Sequence, residues 1–156
     1  MLSPDGYQYP NLRRDKWNAW DENWLLIAGE VSSEGRHWSF RDPALTASEA
    51  MALVPWLHHV AEGTVPVSEP DTDGWVSPDL VFVEPNIAFS VAGRNGNFVL
   101  LRVHFSLESA PPEFDPDERA EIWRFFVELS IDPNELVEAA AQWEHELEPF
   151  PVRESP

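Results

Sequence analysis

Residues Trp38 to Leu57, WSFRDPALTASEAMALVPWL, carry two hydrophobic periods in one run, and the place where one gives way to the other decides the fold. Trp38 and Phe40 lie two apart and share one face of an extended segment, while His37, Ser39 and Arg41 share the other. Asp42-Pro43 then predicts a turn, because the residue before a proline is pushed out of the helical region. Thr46 and Glu49 stand at the spacing of a capping box, in which each side chain takes up a free backbone N–H of the other. Behind them Ala50, Leu53, Val54, Leu57, Val60 and Ala61 fall on one helical face. The run therefore predicts a strand feeding a helix that covers its sheet. Gly63 is placed to stop that helix, and Pro55, which cannot donate to the preceding turn, predicts a kink or break between Met51 and Pro55.

Toward the N-terminus, Trp24 to Val31 (WLLIAGEV) reads as a strand that Ser33-Glu34-Gly35 turns back into the segment Arg36 to Phe40. Residues 1–22 read as a mostly irregular N-terminal stretch with room for one short strand, and carry one small basic cluster, Arg13, Arg14 and Lys16. Toward the C-terminus, residues 64–78 form a long loop rich in Pro, Ser and Asp. Within it Asp71, Thr72, Asp73 and Gly74 only faintly resemble a calcium loop, since the later ligands and the closing Glu are missing. Leu80 to Val83 is a continuous apolar run, expected as a central strand. Ile87 to Val91 and Phe98 to Leu107 alternate on either side of a Gly-rich turn, and on the second of them one face is apolar and the other mixed.

Residues 108–121 are an acidic, proline-bearing connection, and Ile122 to Leu129 alternates as the last strand. Asp132-Pro133-Asn134-Glu135 opens a final helix with a cap, a proline at the first position and a Glu reaching back. Leu136, Ala140, Trp143 and Leu147 make its buried stripe, and residues 152–156 read as a loose tail. The expected fold is α+β, in the order ββαββββα: a mainly antiparallel sheet of about six strands with two helices packed on one face, forming a single domain over residues 1–156.

Composition narrows the function. The chain of 156 residues has 28 acidic and 10 basic side chains, a net charge of -18, and no Cys. Disulfides, thiolate nucleophiles and Cys-ligated metals are excluded. A charge of this sign argues against nucleic acid as a partner, since phosphate affinity comes from Lys and Arg, and favours a basic protein partner. The first residues lack an apolar signal-peptide core and no apolar run reaches the length of a membrane span, so the reading is cytoplasmic, with no membrane contact.

No Gly-rich phosphate loop, G-x-S-x-G, H-E-x-x-H or His–carboxylate spacing is present, so the sequence names no catalytic residue, no cofactor and no metal site. Arg41, Asp42, Glu84 and Glu108 stand out as polar residues at strand ends. They read either as a structural ion-pair group, with Arg41 held by Glu84 or Glu108, or as the lining of a small enzyme or ligand pocket.

Taken in order, W-S-F-R-D-P-x-L-T with its E-A…L…W-L helix, F-x-E-P-N-x-x-F at Phe82 to Phe89, H-F-S-L-E-x-x-P at His104 to Pro111, and E-x-x-x-A-x-x-W before Phe150-Pro151 resemble the WapI-type immunity proteins of bacteria. The resemblance spans residues 24–151. It implies an antitoxin: a cytoplasmic protein that binds and blocks the toxic C-terminal domain of a contact-delivered or wall-associated toxin, a tRNA-attacking nuclease in the namesake. It carries over no contact residue. Charge supplies the candidates, because a nuclease domain is often basic where it holds phosphate. Asp71, Asp73, Glu113, Asp115, Asp117, Glu118 and Glu121 are the expected partner-binding residues, with an interaction module that inhibits nothing as a further alternative.

Overall fold

The computed structural model describes residues 1–11 and 21–153; Arg13, Arg14 and Lys16 and the last three tail residues lie outside them. Among the described residues two antiparallel three-stranded sheets form. The first joins β1 (Leu2–Tyr7), β2 (Trp24–Ser33) and β3 (Arg36–Thr46), in that order. The second joins β4 (Ile87–Asn95), β5 (Phe98–Phe105) and β6 (Phe126–Ile131). Helix α1 (Ala47–Ala61) links the sheets, a short α2 (Pro116–Ala120) precedes β6, and α3 (Pro133–Leu147) closes the fold.

The Trp38–Leu57 run folds largely as its periods dictate. Trp38 and Phe40 are buried on β3 while His37, Ser39 and Arg41 are exposed. Asp42-Pro43 does not turn the chain. β3 continues through it to Thr46, with a bulge where Leu25 pairs with Leu45 and Leu26 with Pro43. The strand order leaves β3 at a sheet edge, where a missing N–H costs little, and the bulge absorbs the extra residue. Thr46 and Glu49 form the expected capping box, with Thr46 N donating to Glu49 Oε2 at 2.8 Å. The expected break at Pro55 is absent. Pro55 sits on the exposed side of an unbroken helix, where water can serve the carbonyl it leaves without a donor.

Six strands form, but not the expected six. Leu2–Tyr7, in the stretch expected to be mostly irregular with room for one short strand, is β1; it pairs with β2 despite Pro4 and Gly6, with a bulge between them. Leu80 to Val83 makes only one bridge, Leu80 to Phe89, and Val81 and Val83 face solvent. The order is therefore βββαββαβα rather than ββαββββα. The loop after α1 runs along the free edge of β4, with Ser68 N donating to Val91 O at 2.9 Å and Asp79 N to Phe89 O at 2.9 Å. An open strand edge is thereby covered without a seventh strand. The last strand begins at Phe126 rather than Ile122, because Trp123 takes a left-handed backbone, φ 67°, and turns the chain ahead of it. At the other end Arg153 is not loose: Asn23 bonds its backbone N–H and C=O, and its guanidinium lies 3.5 Å over the Tyr7 ring.

One apolar cluster draws on both sheets, α1 and α3. Trp38 and Phe40 set their edges on Phe105, at ring-centre distances of 5.6 and 6.0 Å, and so join the first sheet to the second. Trp143 of α3 donates its indole N–H to Ala50 O of α1 at 2.8 Å. The odd residues of β5, Leu101, Val103 and Phe105, face this cluster. On the mixed face of even residues Phe98 is exposed, while Arg102 and His104 are buried and bond Ser68 O and Trp123 O of the flanking loops.

Candidate functional site

The motifs at residues 84–86 and 104–109 build an interior hydrogen-bond network. Ser106 N donates to Asn86 O at 2.9 Å, and Ser109 Oγ lies within bonding reach of the carbonyls of Asn86 and Ser106. Trp38 reaches the same turn, its indole N–H donating to Ser109 O at 2.9 Å. Trp123 N donates to Ser106 Oγ at 2.9 Å, and Trp123 O accepts from His104 Nδ1 at 3.0 Å. That bond puts the ring proton on Nδ1, so Nε2 accepts from Ser90 Oγ at 2.8 Å. The Ser90–His104 pair is spaced like a nucleophile and its base, but both side chains are wholly buried, and burial first of all drives the His104 pKa down. A substrate has no route to it. The network ties β4, β5, the turn after β5 and the approach to β6 to β3, and its role is to hold the scaffold.

Arg41 does not reach Glu84 or Glu108. Its guanidinium bonds Asp5 of β1 on the surface. Asp42 instead meets both carboxylates: burial first, then Glu108 and Glu84, push its pKa up, against the pull of Asn86 Nδ2, which donates to Asp42 Oδ2 at 2.9 Å. An aspartate whose pKa is raised on folding contributes stability below its unfolded value, and loses it as pH rises through the folded one. Asp42→Asn keeps an acceptor for Asn86 and removes the repulsion. We expect it to match or exceed the parent in urea unfolding at about pH 7, by under about 1 kcal/mol, with the gain vanishing near pH 4.

The seven acidic candidates fall in two loops that the structure brings together. Asp71 Oδ1 accepts from the backbone N–H groups of Asp73 and Trp75, each at 2.9 Å, and closes a tight turn that presents Trp75 with 42% of its surface exposed. The Arg124 guanidinium lies 5.8 Å from the Trp75 ring centre and also bonds Glu121. In the second loop Glu113 pairs with Arg36 at 3.3 Å, and Asp115 and Glu118 form the capping box of α2. Asp117 and Asp73 are exposed. The sequence missed α2 although Asp115-Pro116-Asp117-Glu118 repeats the pattern that opens α3. Trp75 was missed too, since only the folded loop sets it beside the acids.

Among the described residues a cavity of about 210 Å³ lies in the second acidic loop, between Phe114, Phe125, Glu118, Glu121 and Arg124. Another, of about 360 Å³, lies between the second sheet, α1, α3, the end of β2 and the N-terminal Met1 and Leu2. Neither is lined by Arg41, Glu84 or Glu108, where the enzyme or ligand-pocket alternative would put its site. No group of three or more His, Asp or Glu among the described residues is placed to hold a metal ion. None of their helices is long and apolar enough to cross a membrane.

A family model described as the Immunity protein WapI-like family matches residues 1–151. No curated protein and no solved structure matches the chain.

Proposed function

The chain belongs to the immunity protein WapI-like family, and from that premise we propose that it binds a cognate toxin domain, basic and of the nuclease type, and neutralises it by covering its active surface. The observation that carries this reading is the joining of the two acidic loops through Arg124 and Trp75. In this reading Asp71, Asp73, Glu113, Asp115, Asp117, Glu118 and Glu121 act together as one acidic face, with the exposed Trp75 in it. Carboxylates of this kind steer a basic partner and fix its register, while Trp is the residue type that most often anchors an interface. Asp71, Glu113, Asp115, Glu118 and Glu121 are also tied within the chain, so their charge is partly spent before a partner arrives.

The test is co-expression with each toxin domain that the genes neighbouring this chain's own encode, with growth rescue and a titration of the complex as readouts. The intact chain is expected to restore growth. Changing all seven acids to Asn or Gln, which can still cap α2, is expected to weaken binding by about tenfold or more at low ionic strength and to flatten its salt dependence. Unchanged affinity and salt slope in a folded variant would remove these loops from the interface.

A further inference from the structure

We propose that the 360 Å³ cavity is an anchor pocket for the partner, taking one large apolar side chain that the toxin domain presents next to a Lys or Arg. This rests on the toxin-binding reading above, but uses different residues: none of the seven acidic candidates lines the cavity.

Protein interiors are packed to crystal density, and voids larger than a water molecule are few. A cavity of 360 Å³ leaves its walls without contacts that an inserted group would supply, and its size falls in the range of ligand sites. The walls include Leu53 and Leu57 of α1, Val103 and Phe105 of β5, Val127 of β6 and Trp143 of α3, each less than a tenth exposed. All stand on helices or strands, so the pocket is set by the scaffold rather than by loops. Water inside would find few polar partners on these walls, which favours an apolar occupant.

The rim selects the charge of that occupant. Glu30 of β2 and Glu146 of α3 line the opening together with Met1, whose ammonium is bonded to the Glu30 carbonyl; the two carboxylates outnumber that one cation, and no Lys, Arg or His side chain adds to it. Neither carboxylate is in an ion pair among the described residues; Glu146 accepts only the amide of Gln142, at 2.8 Å. An insertion that strips water from two carboxylates is favourable when it brings a cation. Leu129, 40% exposed, and Ala139 carry apolar surface outward from the mouth. A free small amine would leave that shoulder in water, whereas a protein surface around an inserted side chain covers it.

Two measurements on the intact chain decide this. The first is NMR titration with 2-phenylethylammonium, 2-phenylethanol and 3-phenylpropionate. Saturable shifts confined to the lining residues, strongest for the cation and weakest for the anion, and lost in Val127→Phe, are expected. The second is toxin-domain affinity of Val127→Phe, which fills the cavity, and of Glu30→Gln/Glu146→Gln. Each is expected to weaken binding by on the order of tenfold, with the salt dependence of Val127→Phe unchanged. Normal toxin affinity in a folded Val127→Phe overturns the anchor: with the probe bound, the cavity takes free amines instead, and with no probe shifts it takes neither. If Val127→Phe does not fold, the charge pair and the probe order decide, and equal binding of the three probes overturns the role of the rim. If the unaltered chain binds no toxin domain, the toxin-binding reading fails with the anchor, and probe shifts then mark a site for free amines.

Discussion

Trp38→Ala is expected to cost about 3–5 kcal/mol of folding free energy, read as a fall in the urea midpoint with the slope unchanged. Two losses combine. The ring is 4% exposed and packs edge-on against Phe105 and Phe125, so truncation leaves a cavity where the two sheets meet. The indole N–H also serves Ser109 O, whose residue is wholly buried. Trp38→Phe separates these effects, because it keeps most of the packing and leaves that carbonyl without its donor. It should cost about 1–3 kcal/mol. A Phe variant as stable as the parent would show that the Ser109 carbonyl finds another partner and that packing alone accounts for Trp38.

The same residue shows how far the sequence could be read. Its burial follows from a spacing of two with Phe40, and the caps of α1 and α3 follow from Thr46/Glu49 and Asp132/Glu135, because such signals are local. Its bond to Ser109, 71 positions away, is not written in any period. Nor is β1: Ser3, Pro4, Asp5 and Gly6 are poor strand formers, and they pair because β2 presents an edge that needs covering. Leu80 to Val83 fails for the opposite reason. Its composition is that of a strand, yet only Leu80 bonds the edge of β4, and Phe82 alone of its Val81, Phe82 and Val83 turns inward. The acidic loops were legible as charge but not as a surface. Their meeting depends on Arg124 reaching both Trp75 and Glu121, and on Asp71 spending its carboxylate on its own turn.

His104 gives the second large effect. His104→Leu takes a donor from Trp123 O and an acceptor from Ser90 Oγ, both inside the protein, and should cost about 2–5 kcal/mol. Ser90→Ala should cost about 1–3 kcal/mol alone, and less in the presence of His104→Leu, since its hydroxyl then has no ring to serve. The double-mutant cycle should therefore show a coupling of about 0.5–3 kcal/mol; strictly additive costs would mean that the pair does not act as a pair. The pH dependence follows from the same burial. Desolvation, reinforced by Arg102, lowers the His104 pKa from 6.5, although the Trp123 carbonyl and Asp79 oppose it. The unfolded chain therefore takes up this proton first as pH falls. The stability that neutral His104 contributes is present above 6.5 and is lost as pH falls from there toward the folded value. Within that window the parent should lose about 1.4 kcal/mol per pH unit more than His104→Leu. The two curves of stability against pH should thus converge on acidification, and curves that stay parallel would mean that the ring takes its proton while still folded.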